Sequence, residues 1–471
     1  MIHGGVHAAL LLHWIPGAAA PLLGVPGAVA AAGVVWGGQA VLHGIALVLV
    51  HRSVHAGPVP PVFALPLAMG AAWILLGWFP TALPGLGFPW LGAEAALVDT
   101  PTLLGLADLV GGAGVAGLLA FSGGGMGAIL RSGPDVRRRA LTAGAVLLVL
   151  TSAAGYGWYG GDSRRGGVEE AASFAVLTVS IPARPDLLRD ADRRLDLFPR
   201  ALGELTAVAA SWEPDLVLWP ESPTGSVGPP AVEVEVATRA VATFQVPVLF
   251  GAMGGAPTVP RGAADARSNR FLLAPLEGGA EVVHEKRRLV PGVEWRLPGT
   301  PGRVQAGPPR GAFAVPGPTG VAAGVLICFE SLFPAEARRL RRAGARILFL
   351  GVNEGWLAGH AGGVADAARA QHRAAAVLLA VEARLPVVRS SVGGEAGGWN
   401  RFGRPLPVRE RWDGEHGVAV LVDVRPAPPG SGPWAARGGA VAPVAGAFLI
   451  LFLPFFVAVR NVPARGRVSS T

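Results

Sequence analysis

The chain has 471 residues, of which 51% are apolar and 15% charged, with a formal net charge of +8 and a mean hydropathy of +0.45. That length exceeds one ordinary domain, and the balance is too apolar for a purely soluble protein and too charged for a purely membrane one. Aromatic residues are not interleaved with the arginines and no recognition motif occurs, so nucleic acid is not expected as a partner; one cysteine, Cys328, excludes an internal disulfide.

Apolar runs place candidate spans at 6–24, 28–50, 62–80, 103–121, 140–158 and 439–459, each near the ~20 residues that cross a bilayer. The chain then divides into a helical transmembrane domain over 1–160 with about five spans, a charged domain over 165–435, a terminal transmembrane helix over 439–459 and a tail over 460–471. Pro16, Pro21 and Pro26 interrupt the first two spans. Arg52, the group Arg131, Arg137, Arg138 and Arg139, and the tail arginines Arg460, Arg465 and Arg467 fall on one face when the spans alternate. Positive short loops face the cytoplasm. The expected placement is a multi-pass protein of the bacterial cytoplasmic (inner) membrane, with residues 165–435 on the outer, periplasmic side. One span suffices for an anchor, so several imply that the membrane part contributes to a substrate path.

Within 165–435 short β-rich runs alternate with amphipathic helices. Strands are expected at Ser173–Ile181, Asp215–Trp219, Pro247–Met253, Arg270–Pro275, Glu281–Glu285, Val321–Cys328, Arg346–Gly351 and Pro386–Ser390. Helices are expected at Asp186–Ser211, Pro229–Gln245, Ser331–Ala343 and Val364–Ala383. This is α/β patterning. Glu221, Cys328 and Asn353 each fall at the carboxyl end of a strand, where the sites of α/β sheets lie.

Three of these residues carry chemistry. Cys328 ends the strand GVLIC before an expected helix, and a positive helix end favours thiolate; the bland alternative is a small core residue. Glu221 ends the buried strand DLVLWP, where burial would suit a carboxylate to general base work; the alternative is a solvated loop acid. Of the 40 lysines and arginines one is lysine, Lys286. A compact ammonium is thus kept where arginine serves everywhere else. Beside a nucleophile it would stabilise an oxyanion; otherwise it is part of a basic turn. No zinc-like spacing of His and Cys and no glycine-rich phosphate loop in a suitable context occurs, so neither metal nor cofactor is expected.

The order Glu, Lys, Cys resembles the nitrilase superfamily and, more closely, the apolipoprotein N-acyltransferase family. The matching pieces are Gly87-Phe88-Pro89-Trp90, Trp219-Pro220-Glu221-Ser222, Lys286-Arg287-Arg288-Leu289-Val290-Pro291 followed by Glu294, Cys328-Phe329-Glu330, Asn353-Glu354-Gly355-Trp356, and the segment Ala370–Arg389. The resemblance implies a nitrilase-like αββα sandwich, an α/β fold, fused to an α-helical multi-span membrane domain. It implies Glu221 as base, Lys286 as oxyanion stabiliser and Cys328 as nucleophile. Glu294 and Glu330 would be supporting acids, Asn353 would belong to the following loop, and Trp356 would lie on a mobile loop over the site. The implied reaction moves a fatty acyl chain from a phospholipid, through a cysteine thioester, to the N-terminal amine of a diacylglyceryl-modified lipoprotein. The bilayer, the phospholipid and the lipoprotein are then the partners. This sequence departs from the family at Phe329 (usually Tyr), at Gly292-Val293-Glu294-Trp295, at Ser390-Ser391-Val392, and at Thr178 and Ser180 where a glutamine is customary. A membrane-tethered nitrilase-like amidase, or a non-catalytic relative that binds lipid or lipoprotein, are the other readings.

Overall fold

The computed structural model describes residues 1–56, 59–83, 87–90, 92–162, 173–184, 190–224, 231–255, 267–294, 304–317, 320–358, 363–414, 416–429, 443–447 and 449–451. The membrane part contains α1 (Ile2–Leu11), α2 (Ile15–Ala56), α3 (Pro61–Ala82), α4 (Ala107–Arg131) and α5 (Val136–Asp162). Four stretches are long and apolar enough to cross a bilayer: Leu23–His55, Phe63–Ala82, Ala107–Arg131 and Val136–Tyr159. The expected first span at 6–24 is different. α1 ends at Leu11, and α2 bends at Gly24, whose φ is 71°. A ten-residue helix rises only ~15 Å, too short for a ~30 Å hydrocarbon core. Residues 443–447 and 449–451 are helical. Ala447 and Leu451 pack against Ala46, Val50, Ala68 and Ala71 of α2 and α3. The rest of the expected 439–459 span, and the 460–471 tail, lie outside the described residues.

The second part is the α/β sandwich. Its strands are β1 (Phe174–Ile181), β2 (Leu216–Leu218), β3 (Val248–Gly255), β4 (Arg267–Ala274), β5 (Glu281–Glu285), β6 (Val304–Gln305), β7 (Phe313–Ala314), β8 (Ala322–Ile327), β9 (Ile347–Asn353), β10 (Val387–Val392), β11 (Gly397–Trp399), β12 (Val408–Asp413) and β13 (Gly417–Val424). Hydrogen bonding runs β5-β4-β3-β2-β1 and then divides. β13 pairs antiparallel with β1 from Phe174 to Ser180 and carries β12. β10 meets β1 only at Ser180 and Ile181 and leads on through β9 and β8 to β7. The strands β5 to β1 continued by β13 and β12 form the first sheet of the sandwich, and the branch from β10 to β7 forms the second. The hairpin of β12 and β13 was not expected from the sequence.

The side chains of β1 alternate between two packing layers, as the two-residue period of a strand requires. Leu177, Val179 and Ile181 pack with helices α6 (Ala191–Ala209) and α7 (Ala231–Phe244) on the outside of the first sheet. Phe174 and Val176 face inward and join the core shared with β8, β9 and β10. Helices α8 (Pro334–Arg342) and α9 (Gly363–Ala383) cover the second sheet. The result is the four-layered αββα arrangement. Residues 186–189 of the helix expected from Asp186 lie outside the described part.

The membrane helices dock onto α9 through buried charge. Arg384 reaches Asp108 of α4 at 2.6 Å, and Tyr156 of α5 donates to the same carboxylate at 3.0 Å. Next to them the Gly112 N–H donates to Glu382 at 2.8 Å, and Arg338 pairs with Glu382 at 2.7 Å. Both Arg384 and Asp108 are buried, so removing one partner leaves an uncompensated buried ion. Asp108→Ala should therefore lower stability by about 3–5 kcal/mol, read by thermal unfolding in detergent. A loss below ~1 kcal/mol would mean that the pair is solvated.

Candidate active site

Glu221 follows β2 in the segment Trp219-Pro220-Glu221-Ser222, and the turn is tight. Ser222 has a φ of 33°. A Cβ at Gly251 of β3 would lie 2.7 Å from the Pro220 carbonyl and the Ser222 nitrogen. Only glycine at that position lets β3 pass so close to the turn. Lys286 follows β5. Its N–H donates to the Asn269 carbonyl at 2.7 Å, which turns the side chain inward.

Lys286 Nζ lies 2.9 Å from Glu221 Oε1 and 2.8 Å from Glu294 Oε1. Asn269 Nδ2 donates to Glu221 Oε1 at 2.7 Å, and Ser222 Oγ donates to Asn269 Oδ1 at 3.3 Å. The Val290 N–H donates to the other oxygen of Glu294 at 2.8 Å, so the lysine segment carries its own acid. Lys286 is only 1% exposed. Burial by itself would lower its pKa, but the carboxylates of Glu221 and Glu294 outweigh it and hold the ammonium well above the ordinary lysine range. Two carboxylates thus share one ammonium.

Cys328 follows β8 and has a φ of 49°, in the left-handed region that L residues rarely adopt. Residues Cys328–Leu332 form a single 3-10 turn, and the α-helix starts only at Pro334. Proline is at home in a first helical turn, where its missing N–H costs nothing. The sequence reading placed one helix over Ser331–Ala343 and a thiolate facing its end; the structure corrects both. Burial pushes the Cys328 thiol well above its ordinary range, and the charge of Glu221 adds to this. Lys286 and the backbone N–H of Asn353 oppose the shift without reversing it. The balance favours the neutral thiol, so forming the thiolate calls for a base.

Asn353, at the end of β9, also donates through Nδ2 to the carbonyls of Glu221 and Ser222 at 3.3 and 3.4 Å. Glu330 is placed differently from the other candidates: it is fully buried behind the turn. It accepts from the N–H groups of Ile327 and Arg287 at 2.8 and 2.7 Å, and His284 Nε2 lies 2.7 Å away. Burial would raise its pKa, but His284 and these N–H groups hold it below the ordinary value. Its contacts fix the backbone on both sides of the cysteine.

Glu221, Lys286, Glu294, Cys328, Asn353 and Trp356 line one cavity of about 480 Å³, within the size range of ligand sites. The sandwich also contributes Met253, Val290 and Phe329, and one apolar wall comes from the membrane part: Trp14, Ile15, Ala18, Leu23, Val34 and Val35. The segment Phe88–Trp90 lies between the two. Trp90 packs against Trp14 at 5.0 Å and against Phe329 at 6.2 Å between ring centroids, and Trp14 packs against Trp356 at 5.6 Å. The kinked start of α2 is therefore a wall of the site rather than part of a straight span. Trp295 lies outside the described residues. Sequence reasoning did not single out Asn269 or His284, and gave no role to Glu354 and His372, which lie inside segments quoted only for their resemblance. Each is a polar residue inside an otherwise ordered strand, turn or helix, a signal that alternation alone did not single out.

Residues 199–403 match the model of the carbon-nitrogen hydrolase family. Over 68 residues the chain is 38% identical to an apolipoprotein N-acyltransferase of Geobacter metallireducens; the match spans 14% of this chain and 12% of that relative. Among solved structures, a mutant of an amidase from Nesterenkonia sp. AN1 aligns at 17% identity. It covers 53% of this chain and 93% of its own, with a TM-score of 0.37. A further structure of an amidase from Nesterenkonia sp. covers 55% of this chain and 93% of its own at 18% identity, with a TM-score of 0.34.

Proposed function

We propose that this carbon-nitrogen hydrolase domain acts as a membrane-bound N-acyltransferase. Its donor is a phospholipid and its acceptor the N-terminal amine of a diacylglyceryl-cysteine in a lipoprotein. The observation that carries the reading is the composition of the cavity. A thiol, an ammonium and two carboxylates face apolar walls supplied by membrane helices. A long acyl chain resists leaving a bilayer by ~0.8 kcal/mol per CH₂, on the order of 10 kcal/mol in all. An enzyme for such a chain must bring its nucleophile to the bilayer edge, and a soluble amidase has no need of that wall.

The chemistry follows from the residues. Glu221 takes the Cys328 proton as sulfur attacks the ester carbonyl. The tetrahedral oxyanion is stabilised by the Lys286 ammonium. Its collapse breaks the ester C–O bond, and Glu221 returns the proton to the departing alcohol, leaving a thioester. The acceptor amine then attacks the thioester carbon and gives its proton to Glu221. The C–S bond breaks, an amide is released, and the thiol is regenerated. Glu294 keeps the ammonium charged and in place. The aromatic walls around Trp90 and Trp356 exclude water while the thioester waits. The arginine-bearing ends of α4 and α5 lie a helix length away from the sandwich, in keeping with a cytoplasmic face there and an outward-facing site.

The test supplies the purified chain with phospholipid vesicles and a synthetic diacylglyceryl-cysteinyl peptide. The expected product is the peptide carrying one more acyl chain as an amide. A peptide left unchanged while simple amides are hydrolysed would assign the site to an amidase.

A further inference from the structure

The left-handed turn at Cys328 has an anchor besides Glu330. His372, on α9, is 1% exposed and takes no part in the proton transfers described above. Its Nε2 lies 3.2 Å from the Cys328 carbonyl oxygen and 3.0 Å from Ser331 Oγ. Its Nδ1 lies 2.8 Å from Glu354 Oε1. A carboxylate only accepts, so Nδ1 donates to Glu354, which leaves Nε2 in reach of the Cys328 carbonyl and the Ser331 hydroxyl, both on the nucleophile turn.

Glu354 is itself fixed. Arg389 donates to the same Oε1 at 2.5 Å, and the Glu354 N–H donates to the Val392 carbonyl at 2.8 Å. A Cβ at Gly394 would fall 1.7 Å from Oε2, so the chain closes tightly over the carboxylate. Burial would raise the pKa of Glu354, but Arg389 and His372 hold it below the ordinary value. Glu354 directly follows Asn353, whose N–H faces the thiol, and begins the turn that carries Trp356. Trp90 packs on the imidazole at 5.6 Å between ring centroids. One side chain therefore touches the nucleophile turn, the Asn353–Trp356 turn and the membrane-side wall.

We propose that His372 is a positioning residue: gripped by the Arg389–Glu354 pair, it holds the Cys328–Ser331 turn and so sets the direction of the thiol relative to Asn353 and Lys286. The assignment rests on Cys328 being the nucleophile, as in the proposed function, but not on the identity of donor or acceptor.

The test is the burst of p-nitrophenolate released when the full-length chain, in detergent, is acylated by a p-nitrophenyl ester. His372→Phe fills the space and keeps a ring against Trp90 but cannot donate. It should slow the burst by ~10²-fold, the scale of a misplaced reacting group, with KM little changed. His372→Gln restores a donor and should recover the rate to within about tenfold of wild type. Full activity in the Phe variant, or equal losses in the Phe and Gln variants, would overturn the assignment, because packing alone would then explain the residue. If His372→Phe does not fold, Glu354→Gln serves: it leaves the imidazole in place and removes the charge that grips it. A slower burst is expected, and an unchanged one overturns the proposal. The ester needs neither lipid nor lipopeptide. A burst that depends on His372 therefore supports the assignment even if transfer to a lipopeptide is not found.

Discussion

Lys286→Arg should reduce acyl transfer by at least ~10²–10³-fold, the cost of losing one oxyanion donor, while the chain stays folded. Nζ is a single compact donor placed 2.9 Å from Glu221 and 2.8 Å from Glu294, with no exposed side to grow into. A guanidinium is wide and planar and spreads its charge over a fork. It can neutralise the two acids but cannot place a proton where the ammonium places one. Lys286→Met tests the other half of the argument. It leaves the buried Glu221 and the partly buried Glu294 without a cation, which should cost about 3–5 kcal/mol of stability. The sign with pH follows from the raised pKa of Lys286. Its contribution to stability is complete below the ordinary lysine pKa and is lost only as pH rises through the raised value. Turnover and thermal unfolding measured on the same preparations separate the two effects. An arginine variant that keeps more than about a tenth of wild-type activity would remove Lys286 from the oxyanion role.

Glu221→Gln should cost ~10²–10⁴-fold in rate, the usual worth of a positioned base. The amide oxygen can still accept from Asn269, so the shape of the site survives. What is lost is the place for the thiol proton. That loss is large because burial holds Cys328 protonated. In the proposed mechanism Glu221 removes the proton as sulfur attacks. In the variant the thiolate must form unaided, so the residual rate should climb steadily as pH rises into and beyond the ordinary thiol range. A residual rate that does not change with pH would mean that Glu221 is not the base.

Much of the site was legible in the sequence because its parts end strands. Glu221, Cys328 and Asn353 each close an apolar run, and the strand assignments around them differ from the structure by only a residue or two. Lys286 was conspicuous by the absence of any other lysine. What was not legible depends on contacts across the fold. Asn269 lies in β4, between residues whose side chains alternate, and nothing local says that it reaches Glu221 on another strand. His372 lies within α9 among alanines, and only the folded chain brings it to Glu354 and Cys328. The thiolate expected at Cys328 is disfavoured by burial and by the Glu221 charge, and both depend on contacts across the fold. Pro16, Pro21 and Pro26 signalled an interruption. Only the packed structure shows that the interrupted segment, through Trp14, Ile15 and Leu23, walls the cavity.

The buried charge between the two parts of the protein bears on how that wall is held. Arg384, Asp108, Glu382 and Arg338 tie α4 and α9 together. The sandwich and the membrane helices then meet with Trp90 against Phe329 of the nucleophile turn and Trp14 against Trp90 and Trp356. A loose anchor would not need such an interface. A site whose walls come from both parts does.

The most direct measurement is the intact mass of the purified protein after incubation with phospholipid vesicles and no acceptor. The account predicts a gain of one fatty acyl group, located on Cys328, labile to hydroxylamine as a thioester is, absent from Cys328→Ala, and discharged when a diacylglyceryl-cysteinyl peptide is added. An unmodified Cys328 in a chain that hydrolyses simple amides would contradict the account.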